Sequence, residues 1–487
     1  MRTFFELMRH WALAMTFHVA PRFANVLVFI FIGRLAGPDQ AGVFSLATTY
    51  LLIITTITRG LDDLLIRQVG REPGRAADYF GNFLLLRLVL AVGLYVALVF
   101  FLQHGPDYSQ VTATAIVILT LSVVPDSLGF VAQSILLGHR RFGTPAAALG
   151  AVNLFKVVAG GAVLLSGGKL MAIAWLWLIG STLGMIALLI PAFRQVGGMR
   201  HAHWLNFAPL RVHWRASVTF CAITTLTALD SQVDTVLLSV FRGEADVGWY
   251  NAATTVTFSL LMLSQAYRFA VYPLMVRYAQ DNPIKLKVVF QKSVYYMSVL
   301  VLPMVAGLIV LAPSIVILIF GEKFAPTIPV LRVLAISLVF FFVGEPCNRL
   351  MLVKDRHQVL VLMLVISTAS NLLLNLLLIP RVGALGAAIS RTCSSFIFFA
   401  LNYRYVTLVV FPHANMKRVF RPLFSALVMA GIVAYLSSDY VIVSIVIGSI
   451  SYFTTLWIVK GFLPNEADII RQVADAQRSK IVSRIKA

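Results

Sequence analysis

Residues 226–253 read Leu226-Thr-Ala-Leu-Asp230-Ser-Gln-Val-Asp234-Thr-Val-Leu-Leu-Ser-Val-Phe-Arg-Gly243-Glu-Ala-Asp-Val-Gly248-Trp-Tyr-Asn-Ala-Ala253. The run up to Phe241 belongs to an apolar block long enough to cross a bilayer, whose hydrocarbon core of about 30 Å takes roughly 20 residues of helix. Asp230 and Asp234 are four residues apart and so share one helix face. A carboxylate at membrane depth is costly, which makes both positions candidates for function.

The rest of the chain has the same character. Hydrophobic residues make up 59% of the 487 and charged residues only 12%, far below the roughly 25% of soluble domains, and the mean hydropathy is +0.86. The composition specifies an all-α polytopic membrane protein. Apolar blocks near 10–33, 40–64, 79–103, 111–138, 144–166, 170–193, 215–241, 246–276, 288–318, 327–353, 357–379, 383–403, 418–436 and 440–461 predict about 14 transmembrane helices. Pro303 and Pro313 leave the ends of the ninth least defined. The first block lacks a small-residue cleavage site behind a short apolar core and is read as a retained helix.

The formal charge of +20 could suggest nucleic acid, but such proteins present a contiguous basic face on a soluble fold. Here the basic residues alternate with the spans: 27 Lys and Arg fall in the termini and connections of one side and 5 in those of the other. That asymmetry predicts a multi-pass protein with both termini cytoplasmic.

Eight basic residues remain inside the spans: Arg22, Arg59, Arg87, Lys156, Arg268, Arg332, Arg349 and Arg391. Arg332 is close enough to a span end to snorkel. The other seven must face protein or water, since a lipid-facing position at mid-membrane costs about 2.5–3.5 kcal/mol each. Polar stripes accompany them: His18, Arg22 and Asn25; Thr48, Thr55, Arg59 and Asp62; Asn153 and Lys156; Asn251, Thr255, Gln265, Arg268 and Tyr272; Ser367, Asn371 and Asn375. Such stripes on apolar helices are expected where helices enclose a hydrated cavity.

The chain also repeats itself. Gly37 and Gly42 in the first hairpin match Gly243 and Gly248 at an offset of 206, and Leu136–Arg141 matches Leu352–His357 at an offset of 216. Two pseudo-symmetric six-helix lobes follow, an N-lobe over 1–205 and a C-lobe over 206–412, with helices 13 and 14 appended over 413–462. Six being even, the repeat is parallel, and a site between lobes with alternating access is the default mechanism. The loop over about 194–214 reads as a linker lying on headgroups or a short coupling helix. The tail over 463–487 reads as a cytoplasmic amphipathic helix at a lipid surface.

Enzyme chemistry finds little support. Gly168-Lys169 is followed by Leu170 and position 163 is valine, so no Walker A is present, nor is a His-Glu-x-x-His or Gly-x-Ser-x-Gly motif. Cys221, Cys347 and Cys393 lie in apolar runs without metal-type spacing. No cofactor or metal is expected. Asp62-Asp63 keeps a membrane glycosyltransferase open, although the longest polar connection is short for binding sugars. Transport is the stronger reading. Arginines at membrane depth suit a phosphorylated cargo and the Asn, Thr, Ser, Gln and Tyr side chains suit a hydroxyl-rich one; a polyprenyl diphosphate-linked oligosaccharide combines the two.

The aspartate of the seventh helix followed by Gly243, Gly248, Tyr250 and Ala253 at the next hairpin, with fourteen spans in two lobes, resembles the polysaccharide repeat-unit (Wzx-type) flippases of the multidrug/oligosaccharidyl-lipid/polysaccharide exporter superfamily. The resemblance covers nearly the whole chain. It implies a MATE-like V-shaped architecture and flipping of undecaprenyl diphosphate-linked repeat units to the periplasmic leaflet, driven by an ion gradient, for O-antigen, capsule or exopolysaccharide. Membrane lipids, a polysaccharide polymerase and a chain-length regulator are the implied partners. It also implies that basic cavity residues bind the cargo.

The cargo-binding candidates are therefore Arg22, Arg59, Arg87, Lys156, Arg268, Arg349 and Arg391 with Asn25, Asn251 and Asn371. Structural pairing with carboxylates is the competing role; Arg59 with Asp62 and Glu345 with Arg349 have the spacing for it. Asp230, Asp234, Glu345 and Asp62 are the candidates for ion coupling or gating. The alternative function is an ion-coupled small-molecule antiporter of the same superfamily, which would prefer an acidic, aromatic-lined cavity for cationic drugs.

Overall fold

The computed structural model describes residues 23–59, 62–197, 225–226, 228–411, 417–436 and 441–461. Apart from turns and short 3-10 or π segments, the described backbone is helical: α1 (Phe23–Ala36), α2 (Pro38–Arg59), α3 (Asp62–Arg71), α4 (Ala76–His104), α5 (Gln110–Thr120), α6 (Val123–Gly138), α7 (Gly143–Leu165), α8 (Leu170–Gln195), α9 (228–241), α10 (Glu244–Asp281), α11 (Pro283–Phe320), α12 (Thr327–Val353), α13 (His357–Val382), α14 (Ala384–Tyr405), α15 (Phe420–Leu436) and α16 (Val441–Ile458). Only helices satisfy every backbone polar group within one segment, which is what a bilayer requires. Among the described residues 10 helical stretches are long and apolar enough to cross a membrane, with α1 and α15 shorter. The other predicted spans fall on α9, which adjoins residues outside the described set, and on α10, whose 38 residues carry charges at both ends. The block interrupted by Pro303 and Pro313 is one continuous helix, α11. Most of the linker over 194–214 and the whole tail over 463–487 lie outside the described residues.

The chain divides into two compact units. Unit 1 comprises Met1–Thr255, Ile319–Val330 and Ser370–Ser390; unit 2 comprises Val256–Leu318, Leu331–Ala369 and Arg391–Ala487. In unit 1, α6 packs on α8, α4 and α3, α7 packs on α8, and α2 packs on α5. Leu65, Phe80, Val131, Ile135 and Leu188 form its buried centre. In unit 2, Phe290, Val301, Leu338, Phe342 and Leu350 are the core, and α15 and α16 pack on α11 through Met429, Leu311 and Tyr452, whose hydroxyl donates to Val299 O at 2.8 Å. Large side chains such as Val96, Phe100 and Ile442 point outward, the surface a lipid-facing helix presents.

The glycines of the repeat have a structural expression within unit 1. Gly37 and Gly243 both adopt φ of 93°, a conformation costly for any residue with a Cβ. Each starts its helix with an equivalent bond, Ala41 N donating to Gly37 O at 3.2 Å and Val247 N to Gly243 O at 3.4 Å. Five residues on, Gly42 and Gly248 meet. A Cβ on Gly42 would collide with Glu244 O, and one on Gly248 with Pro38 O; 38 and 244 differ by the same 206 as 42 and 248. The starts of α2 and α10 thus cross in pseudo-two-fold contact. Without a hydrophobic force between helices in lipid, such close backbone approach is how they gain packing energy.

Candidate functional site

A polar cavity of about 360 Å³ lies inside unit 1, bounded by α1, α2, α3, α6, α7 and α8. It is built around charge. At the end of α2, Arg59 Nε lies 3.3 Å from Asp62 Oδ2, and the other carboxylate oxygen takes the guanidinium of Arg87, a wholly buried side chain of α4. Arg87 is not in the cavity wall. It holds Asp62, which in turn steers Arg59, whose guanidinium carbon sits 4.2 Å above the Phe130 ring. Arg59 is 46% exposed and stands at the rim.

Deeper in, Lys156 of α7 is 9% exposed. Its Nζ donates to Ser181 Oγ at 3.2 Å and lies 4.4 Å from the centre of the Trp177 ring, both on α8. Trp177 is braced by an edge contact with Phe44 at 5.4 Å. Gly180 makes room for the lysine stem, since a Cβ there would approach Lys156 Cε to 2.9 Å. Among the described residues no carboxylate oxygen comes within 4.0 Å of this ammonium. A cation–π contact stabilises by about 0.5–2 kcal/mol, whereas a lysine at mid-membrane costs about 2.5–3.5 kcal/mol. Asp126, which hydrogen-bonds the same Ser181, adds a longer-range attraction, so the lysine's charge is offset by protein without a direct ion pair. Asp126 of α6 faces the same cavity, as do Gln133 and Asn153, whose amide nitrogen donates to its own helix at Leu149 O, 2.7 Å, leaving the amide oxygen for the cavity. Asn25 reaches it from α1.

A second cluster in unit 1 centres on Asp234, 1% exposed on α9. Tyr250 Oη of α10 donates to Oδ2 at 2.6 Å, and Asn371 and Asn375 Nδ2 of α13 each donate to Oδ1 at 2.7 Å. Asn375 Oδ1 is buried and has no hydrogen-bond partner among the described residues. Asp230 lies one turn earlier on α9, half-buried. Asn251, a turn into α10, faces Thr235, 3.4 Å away, and donates to Val247 O at 2.9 Å.

Between these clusters runs a set of bonds that sequence patterns did not single out. Thr49 Oγ1 donates to Gln232 Oε1 at 3.0 Å, Thr112 Oγ1 donates to Glu244 Oε1 at 2.7 Å, and the hydroxyls of Tyr50, Tyr108 and Ser239 form a chain with links of 3.0 and 2.7 Å. Tyr108 lies in the connection before α5, where burial pushes its phenol above the ordinary value, so it stays a neutral donor. These residues are ordinary polar side chains, and only their three-dimensional pairing distinguishes them.

The remaining candidates are elsewhere. Glu345 Oε1 and Arg349 Nε of α12 form a 2.7 Å pair in unit 2, with Arg349 5.9 Å from the Tyr272 ring centre. Arg391, 9% exposed on α14, is the first residue of the third chain segment of unit 2. Arg22 lies outside the described residues, as does the side chain of Arg268 on α10.

Comparison with known proteins agrees with this architecture. The family model described as polysaccharide biosynthesis protein matches residues 7–279. The chain is 25% identical over 414 residues, 82% of its length and 84% of the relative's, to the probable low-salt glycan biosynthesis flippase of Haloferax volcanii. It is 27% identical over 201 residues, 40% of its length and 39% of the relative's, to the lipopolysaccharide biosynthesis protein WzxC of Escherichia coli K12. Its fold is similar to that of the lipid II flippase MurJ in the inward closed conformation, with a TM-score of 0.73 at 15% identity, covering 92% of this chain and 98% of that one.

Proposed function

The chain belongs to the polysaccharide biosynthesis protein family, and we propose that it flips polyprenyl diphosphate-linked oligosaccharide repeat units across a bacterial inner membrane for assembly of a surface polysaccharide. The observation that carries this reading is the cavity of unit 1, where Arg59 and Lys156 stand at membrane depth among amides and hydroxyls. An anionic, hydroxyl-rich headgroup matches the two cations, amides and hydroxyls of that lining; its carboxylates, Asp62 and Asp126, each face one of those cations. The relative named as a probable glycan biosynthesis flippase and the one named as a lipopolysaccharide biosynthesis protein support the same class of cargo. The chain acts as a transporter and not a catalyst.

Both termini are assigned to the cytoplasm on the distribution of basic residues. The six-helix lobes over 1–205 and 206–412 are supported by the matching geometry of the Gly37 and Gly243 turns, and alternating access follows from such a repeat. Arg22, Arg268 and Arg391 are proposed to bind the diphosphate. Asp234 is proposed as the ion-coupling carboxylate, because its donors come from two other helices and a proton or cation on it would alter their packing. Glu345 with Arg349 is the proposed gate pair. A polymerase and a chain-length regulator are the proposed downstream partners.

The test is reconstitution of the purified protein in vesicles with a lipid-linked oligosaccharide in the inner leaflet and measurement of its appearance outside. Flipping should depend on the protein, and Arg22→Ala, Arg268→Ala and Arg391→Ala should each lower it by about tenfold or more while the protein stays folded. Wild-type rates no faster than protein-free vesicles would sink the proposal.

A further inference from the structure

The unit 1 cavity pairs cations with hydrogen-bond acceptors, and that combination selects among anionic ligands. Arg59 and Lys156 are each seated on an aromatic ring. Arg59 shares Asp62 with Arg87, whereas Lys156 has no carboxylate within 4.0 Å among the described residues and is balanced only at longer range by Asp126, which hydrogen-bonds the same Ser181. The ammonium is nine-tenths buried, aims into the cavity, and spends one of its three donors on Ser181. Beside it stand groups that accept: the Asp126 carboxylate, which takes the Ser181 hydroxyl and keeps further lone pairs, and the Asn153 amide oxygen, whose own nitrogen is engaged elsewhere. Gln133 adds one acceptor and two donors.

A diphosphate satisfies half of this lining. It would meet Lys156 and Arg59, but when ionised it carries no O–H donors for Asp126 and Asn153. A neutral sugar satisfies the other half and leaves the lysine unmet. A ring that carries one carboxylate and several hydroxyls satisfies both, since the carboxylate accepts from Lys156 and the hydroxyls donate to Asp126 and Asn153. The volume, about 360 Å³, is within the range of small-molecule sites.

We infer that this cavity is a subsite for an acidic sugar of the hexuronate class within the carried glycan. The inference rests on the proposed function and deepens it, because it names a component of the repeat unit. Lys156 is the anion-binding residue, Asp126 and Asn153 are hydroxyl acceptors, and Gly180 is the position that leaves the lysine stem its path.

The experiment is equilibrium dialysis of the purified full-length protein in nanodiscs against labelled glucuronate, with glucose and inorganic pyrophosphate as competitors. Glucuronate should bind saturably, and both competitors should be weaker by about tenfold or more. Lys156→Met should lower glucuronate affinity by about tenfold or more. Gly180→Ala, which keeps the charge and moves the head, should lower it by a smaller factor, and Asn153→Ala should act on glucuronate without affecting any residual binding of pyrophosphate. Absence of saturable glucuronate binding to the folded protein, equal competition by pyrophosphate, or unchanged binding in Lys156→Met would each overturn the inference. Vesicle flipping of a hexuronate-bearing carrier separates the two readings: no flipping of that carrier counts against the flippase, whereas flipping without saturable glucuronate binding overturns the subsite alone.

Discussion

Asp234 and Lys156 are buried charges of opposite sign in the same unit, and they are held in opposite ways. The carboxylate accepts three short hydrogen bonds from Tyr250, Asn371 and Asn375, each worth about 1.5–3 kcal/mol to a charged acceptor. Together these rival the several kcal/mol that an ion loses on leaving water. The ammonium has one hydroxyl and one ring face, both on α8. The first site is closed on itself, and whatever disturbs it must move α10 or α13. The second is open to a cavity, and a ligand completes it. A buried charge in a membrane protein therefore reports its role through how far its neighbours satisfy it.

The contrast makes removal of the two charges unequal. Asp234→Ala leaves three buried donors without an acceptor and should destabilise the protein by about 3–5 kcal/mol, read as a large fall in the thermal unfolding midpoint in detergent. Asp234→Asn keeps the shape and should fold better, yet lose the response of flipping to an imposed ion gradient; an unchanged gradient response would remove Asp234 from ion coupling. Arg87→Ala is comparable on the cation side, because the half-closed Asp62 loses its wholly buried partner, and should cost about 3 kcal/mol. Gly42→Ala or Gly248→Ala forces the crossing backbones apart and should cost about 1–3 kcal/mol, whereas Gly431→Ala, with open space at its Cβ position, should be neutral or slightly favourable. Lys156→Met should leave stability within about 1 kcal/mol, or raise it, since an incompletely satisfied charge is replaced by an apolar side chain. If Lys156→Met instead unfolded the protein as Asp234→Ala does, the distinction between the closed and the open site would collapse. Arg59→Ala, at the exposed rim, should cost the least, under about 1 kcal/mol.

Much of the architecture was legible in the residues. Apolar blocks near 144–166 and 357–379 meet α7 and α13 almost end to end, because bilayer thickness sets helix length independently of tertiary context. The i, i+3 and i, i+4 pairs Arg59–Asp62 and Glu345–Arg349 were readable for the same reason, being local geometry of one helix. Depth alone groups Arg87 with the other intramembrane cations; its partner Asp62 is 25 residues away on another segment, and no periodicity relates them. Trp177 and Ser181 carried no signal, since an aromatic and a serine on an apolar helix are ordinary packing residues until a lysine lies on them.

The amino-acid sequence by itself determined that the chain spans a membrane repeatedly, which residues sit at membrane depth, and that two hairpins are related at an offset of 206. These follow from hydropathy, spacing and self-similarity, which act along one segment at a time. Tertiary structure alone decided that Gly42 touches the helix bearing its own equivalent, that Asp234 collects Asn371 and Asn375 from across unit 1, and that Lys156 is left facing a cavity. The physical reason is that the cost of a buried charge depends on donors and acceptors brought in by other helices, and a sequence states that a charge is buried long before it states what meets it.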